Sequence, residues 1–235
     1  SMALHLAKDG RDVVGTFRSN AAEATSVRRQ IEDMGRRVAM LPLDVTQSGT
    51  FAAFAQELLH TLGATFGRTT FDYLINNAGI AGYTPIAEIT EEEFDTLTDV
   101  HFKGPVFLTK ALLPMIADGG RIINVSSGLT RITHPGPAIY AANKGAIEVF
   151  TRYLAKDLGP RRITVNVIAP GAIATDFGGG RIRNNPEIAR QVAATITLGR
   201  VGEADDVGGA VAAILADGAG WITGQRIEVS GGQSL

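Results

Sequence analysis

The chain has 235 residues, with 22 Lys+Arg against 24 Asp+Glu and a net charge of −2. Hydrophobic residues at 45% and charged residues at 20% exclude a disordered chain, and the near-neutral balance argues against a protein built to grip nucleic-acid phosphates. Cysteine is absent, which excludes disulfides, Cys-based metal sites and thiol catalysis and agrees with a cytoplasmic address.

Residues 1–10, SMALHLAKDG, read as the last turns of an amphipathic helix closed by Gly10 at C′. A chain that opens in mid-helix predicts a segment ahead of it. Strand-like runs follow at 12–17, 37–41, 71–75, 121–125, 163–168 and 226–229. Most are continuous apolar runs, as in strands covered on both faces. Helical stretches separate them at 20–34 (Asn20 as N-cap), 50–65, 90–115 (opened by a Thr90/Glu93 capping box), 138–158 and 205–216. Strands alternating with helices predict an α/β fold, a doubly wound parallel sheet with helices on both faces. No repeat or linker interrupts it, so residues 1–235 read as a single domain. No apolar run approaches the roughly 18 residues of a membrane span.

In such a sheet, ligands bind beyond the carboxyl ends of the strands. Small, polar and glycine residues collect there: Arg18-Ser19-Asn20, Asp44-Val45, Asn76-Asn77-Ala78-Gly79, Ser126-Ser127-Gly128 and the run from Ala169 to Thr175. The 28 glycines of the chain, against an average of about 7%, suit tight turns and close backbone approach to a ligand. Tyr140 and Lys144 are four residues apart on one predicted helix face. An ammonium beside a phenol lowers the phenol pKa from about 10, making Tyr140 a candidate general acid/base.

With Asn76-Asn77-Ala78-Gly79, Ser127, Tyr140-Ala141-Ala142-Asn143-Lys144, Pro170-Gly171 with Thr175, and the closing Ile222-Thr223-Gly224-Gln225 to Ser230-Gly231-Gly232, the chain resembles the short-chain dehydrogenase/reductase family, near its 3-oxoacyl-[acyl carrier protein] reductases. The thirteen-residue step from Ser127 to Tyr140 matches the family interval and selects Ser127 over Ser126. The resemblance implies a Rossmann-like sheet and hydride transfer between a nicotinamide and a carbonyl carbon. Tyr140 would exchange a proton with the substrate oxygen, Ser127 would hydrogen-bond that oxygen, and Lys144 would lower the Tyr140 pKa and bind the nicotinamide ribose. Ile173 (through its backbone) and Thr175 would hold the carboxamide, with Pro170-Gly171 giving the turn. Asp44 and Val45 would border the adenine, and the run Asn76, Asn77, Ala78 and Gly79 the adenosine ribose.

Two departures stand out. His101 occupies the place of the family asparagine that positions a water in a proton relay; histidine can serve that role with some sensitivity to pH. The other three histidines show no metal-ligand spacing, so no metal site is expected. The family also opens with a strand and a Thr-Gly-x-x-x-Gly-x-Gly turn that cradles the pyrophosphate; this chain contains no such turn. That predicts an absent first strand and turn, roughly 20 residues by the size of a β-α unit. Gly178-Gly179-Gly180 reads instead as a flexible stretch of a substrate lid over 177–197, which with 80–89 would shape the pocket.

The first visible strand ends Thr16-Phe17-Arg18-Ser19, with an arginine and no acid, which favours NADP(H) over NAD(H). The leading expectation is an NADP(H)-dependent oxidoreductase of a ketone or 3-oxoacyl group, the substrate being a small carbonyl or alcohol, free or acyl-carrier-bound. A sugar or other secondary-alcohol dehydrogenase is the alternative enzyme, and a non-catalytic dinucleotide-binding scaffold or sensor the alternative of another class. The resemblance further implies a cytoplasmic homotetramer, with neither nucleic acid nor membrane as partner.

Overall fold

A computed structural model describes residues 1–235. Six strands form: β1 (Val13–Phe17), β2 (Val38–Pro42), β3 (Phe71–Asn76), β4 (Ile116–Val125), β5 (Thr164–Pro170) and β6 (Arg226–Val229). They lie in two sheets, β1-β2 and β3-β4-β5-β6, with every pair parallel. Eight helices surround them: α1 (Met2–Lys8), α2 (Ala21–Asp33), α3 (Phe51–Thr61), α4 (Glu91–Thr98), α5 (Gly104–Leu112), α6 (Ala138–Leu158), α7 (Pro186–Ala193) and α8 (Ala204–Ile214).

Successive strand residues face opposite ways, and both faces are apolar. Ile122 packs with Leu154 and Leu158 of α6, whereas its neighbour Ile123 packs with Val207 and Val211 of α8. On the α6 side, Leu74 also meets the cluster built from α3 and α5 around Phe54, Leu58, Leu108 and Leu112. Opposite, α1 joins α8 through Leu6 and joins α2 and the first sheet through Ala7, Ile31, Val13 and Val38. This is the doubly wound, Rossmann-like arrangement expected from the strand–helix alternation.

Local signals act as read. The Asn20 side chain accepts from Glu23 N at 3.1 Å, and Gly10 takes φ +83° just past α1. Thr90 accepts from Glu93 N at 3.1 Å, but only half of the capping box forms, because Glu93 instead accepts from Thr84 Oγ1 at 2.7 Å.

The expected helix over 90–115 forms, with one irregularity. A π-helical turn, Asp99–Lys103, separates α4 from α5. At the junction a Cβ on Gly104 would lie 2.5 Å from the Val45 carbonyl oxygen, so the close approach requires glycine. β4 starts at Ile116, ahead of the expected Arg121, because Phe71 pairs with Ile116 across a register shift. Within the expected lid stretch, α7 forms behind an Asn185 N-cap. No helix is long and apolar enough to cross a membrane.

Candidate active site

Ser127 stands just past the end of β4, Tyr140 and Lys144 ride one turn apart near the start of α6, and His101 lies within the π-helical turn before α5. All four are buried, at 9%, 8%, 4% and 1% exposure. Ser127 Oγ caps a short 3-10 turn by accepting from Leu129 N at 3.2 Å. Its neighbour Ser126 turns away into the α6 packing, within 2.7 Å of a Glu148 carboxylate oxygen. The His101 and Tyr140 rings meet edge to face, centroids 5.0 Å apart, and Lys144 Nζ sits 5.7 Å from the Tyr140 ring centre.

The protonation pattern departs from two expectations. Burial pushes the Tyr140 phenol up to about 12, helped by Tyr83 and opposed by a hydrogen bond with Ser127. Spacing places Lys144 beside the phenol but does not aim it, and Nζ donates to the Val125 carbonyl at 2.7 Å. Burial lowers Lys144 itself to about 8. The anticipated pH sensitivity of His101 is likewise corrected, since burial and the Lys144 ammonium hold it down at about 3. His101 is therefore neutral at physiological pH. Nε2 lies 2.8 Å from the Ile80 carbonyl, to which it donates, leaving buried Nδ1 as an acceptor without a partner.

A cavity of about 1500 Å³, which also takes in the apolar gap between the two sheets beside Phe54, Leu58, Leu74 and Leu108, runs from Arg18 past Asp44 and Val45, along Ala78 and Gly79, to Tyr140 and Lys144, and on to Pro170, Gly171, Ile173 and Thr175. Arg18 forms no salt bridge within the chain. Asp44 accepts from the backbone and hydroxyl of Thr46 at 2.9 and 2.8 Å. Those hydrogen bonds, with the Arg18 charge adding a little, hold its carboxyl below the usual range. Gly171 N donates to Val229 O and Ala172 N to Gln233 Oε1, both at 3.0 Å, which fixes the turn while the Ile173 N–H has no internal acceptor. The residues at this end suit a nicotinamide: a free backbone donor, a buried ammonium and a hydroxyl line one wall.

Asn76 is not part of that wall. Its side chain points into the protein, donating to Thr109 Oγ1 at 3.1 Å and Asn124 Oδ1 at 2.8 Å. Strand alternation turns it toward α5, so of this run Asn77, Ala78 and Gly79 line the cavity and Asn76 does not.

Beyond Tyr140 the wall is aromatic. The Phe177 ring lies 6.2 Å from that of Tyr140, and the Arg181 guanidinium lies 5.8 Å from the centre of Tyr83. Gly178, at φ +62°, brings its backbone so close that a Cβ would meet Ala81 and Tyr83 at 3.3 Å. Tyr83 and Arg181 had no motif to mark them; they enter through the tertiary contact between the two flagged stretches.

The family model described as enoyl-(acyl carrier protein) reductase matches residues 1–234. The chain belongs to the short-chain dehydrogenase/reductase family. It is an oxidoreductase of the alcohol/carbonyl pair, working with a nicotinamide dinucleotide. A hydroxynaphthalene reductase-like protein of Metarhizium brunneum is 33% identical over 242 residues, spanning 98% of this chain and 88% of the relative. Among solved structures, the promiscuous reductase LugOII, which catalyses keto-reduction at C1 during lugdunomycin biosynthesis, overlays with a TM-score of 0.93 at 39% identity, covering 100% of this chain and 92% of its own. The angucycline C-6 ketoreductase LanV, with bound NADP, gives 0.92 at 35% identity, covering 99% and 90%.

Proposed function

We propose that this short-chain dehydrogenase/reductase reduces a ketone to a secondary alcohol with NADP(H), using Tyr140 as the proton donor. The observation that carries the reading is the gathering of Ser127, the Tyr140 phenol and Lys144 at one end of a cavity that extends to Arg18. When bound, the reduced nicotinamide supplies the hydride to the carbonyl carbon. Ser127 holds the carbonyl oxygen by a hydrogen bond, and Tyr140 gives its proton to that oxygen as the C=O bond becomes C–O–H. Lys144, charged below pH 8, offsets the phenolate left behind and binds the nicotinamide ribose hydroxyls. His101 Nδ1 accepts a hydrogen bond from water that returns the proton. Ile173 N–H and Thr175 hold the carboxamide, and Arg18 faces a 2′-phosphate, which favours NADP(H).

The aromatic wall of Tyr83, Tyr140 and Phe177 supports a flat, ring-bearing ketone ahead of a 3-oxoacyl chain, in keeping with the ketoreductases it resembles. The reading also takes the enzyme to be a cytoplasmic homotetramer, supported by exposed Phe107, Val149 and Tyr153 on α5 and α6. Following NADPH and NADH absorbance with cyclic aromatic ketones, 3-oxoacyl thioesters and sugars tests the whole reading. Tyr140→Phe is expected to lower kcat at least 100-fold, within the range for general acid loss, and Arg18→Ala to raise the NADPH KM selectively. Turnover surviving Tyr140→Phe overturns the mechanism, and no turnover with any carbonyl favours the scaffold alternative.

A further inference from the structure

Two turns along α6 from Tyr140, on the same helix face as Lys144, stands Glu148. Its side chain is 13% exposed, and no step of the mechanism above employs it. One carboxylate oxygen, Oε1, meets three donors: Ser126 Oγ at 2.7 Å, Thr130 Oγ1 at 2.8 Å and Arg226 Nε at 2.8 Å. These come from three separate places, the end of β4, the turn after it and β6. Ser126 and Thr130 flank Ser127 in the chain. The Thr130 hydroxyl also lies 3.0 Å from the Ser127 carbonyl, and Arg226 reaches the Thr130 hydroxyl at 3.1 Å.

We propose that Glu148 is a positioning residue: it fastens the Ser127 turn to the helix that carries Tyr140, and so sets the serine hydroxyl against the phenol. The proposal rests on the catalytic reading of Ser127 and Tyr140. Along the chain the two groups are joined by the loop 128–137, which contains no helix longer than a single 3-10 turn; Lys144 ties α6 to Val125 ahead of Ser127 at 2.7 Å, and Glu148 adds the hold on the turn after it, through Thr130. With it, Tyr140 and the anchor of Ser127 share one rigid element. Hydrogen bonds to an ionised acceptor are about twice as strong as neutral ones, which suits an anchor that must hold to a fraction of an ångström. The ion pairs of Glu228 with Arg226 and Arg131 stand without Glu148, so its loss leaves the β6 end of the network joined.

The test is a double-mutant cycle in NADPH-dependent ketone reduction. Glu148→Gln keeps the shape and removes the charge. It is expected to lower kcat by about tenfold or more while the NADPH KM stays within about threefold, since misplacement of a reacting group acts on the chemical step. In the Ser127→Ala background the same change is expected to alter kcat less than about twofold, because there is no hydroxyl left to place. Thr130→Val removes one donor and keeps the Glu148–Arg226 pair; it is expected to lower kcat in the same manner, and it decides the matter if Glu148→Gln fails to fold. Equal losses from Glu148→Gln with and without Ser127, or parent kcat in both Glu148→Gln and Thr130→Val, overturn the positioning role while Tyr140→Phe remains inactive. Turnover that survives Tyr140→Phe overturns the catalytic reading and this proposal together.

Discussion

Lys144 carries an ammonium with a single hydrogen-bond partner, the Val125 carbonyl, and burial lowers its pKa from the ordinary 10.5 to about 8. Below pH 8 the side chain is charged in both the folded and the unfolded chain, so the cost of burying it is fully present. Between pH 8 and 10.5 the folded chain has released the proton and the unfolded chain still binds it, so stability rises with pH across that window. Above 10.5 both are neutral and the cost is gone. At 1.36 kcal/mol per pKa unit, the gain is about 3 kcal/mol. Urea unfolding of the parent and Lys144→Met at pH 7.5 and 10.5 isolates it, because the other titrating groups are common to both chains. The parent is expected to gain about 3 kcal/mol more than the variant on going to the higher pH. Absolute stability at one pH is the poorer readout, since methionine also leaves the Val125 carbonyl unpaired. Parallel changes in the two chains refute the buried charge.

His101→Asn is expected to hold kcat within about threefold and His101→Leu to lower it at least tenfold, on the scale of a lost proton-relay partner. The pH–rate profiles of the parent and His101→Asn are expected to coincide from pH 5.5 to 7.5, because His101 stays neutral there; an extra acid limb in the parent contradicts that. Asn124→Ala removes a link between Asn76 and Thr151 and is expected to cost about 2–3 kcal/mol in chemical denaturation, leaving buried partners unsatisfied. Gly104→Ala drives a Cβ against the Val45 and Asp99 carbonyls, at 2.5 and 2.8 Å. It is expected to cost about 1–3 kcal/mol and to raise the cofactor KM, since Val45 lines the cavity.

Much of this architecture was legible because buried parallel strands are written as unbroken apolar runs: all six strands were found, and α6 was found with both ends. The π-helical turn at Asp99–Lys103 did carry a local mark, Gly104-Pro105 directly after it, since Pro105 has no N–H to give an α-helical hydrogen bond to His101; the apolar spacing on either side masked it. α7 did carry signals, an Asn185 N-cap followed by Pro186 at the first position. They were hidden by its lack of any buried residue. Spacing brought Tyr140, Lys144 and Ser127 to one place, yet it carried no information on aim. Whether Nζ faces the phenol or the Val125 carbonyl depends on where β4 ends, which is a tertiary fact. Asn76 fell on the wrong side for the same reason, a single step in the strand.

Next to their asparagines the central strands are aliphatic, with Leu74-Ile75 in β3, Ile122-Ile123 in β4 and Val165, Val167 and Ile168 in β5. Three asparagines make the strands distinguishable. Asn76 is paired with Asn124 in the β3–β4 ladder, and Asn124 passes the chain of hydrogen bonds to Thr151 of α6. In β5, Asn166 clasps the approach to β6 by donating to Ile222 O and accepting from Gln225 N. A slipped strand would strand each amide among isoleucines and valines, so these few polar teeth act as a key that admits one alignment.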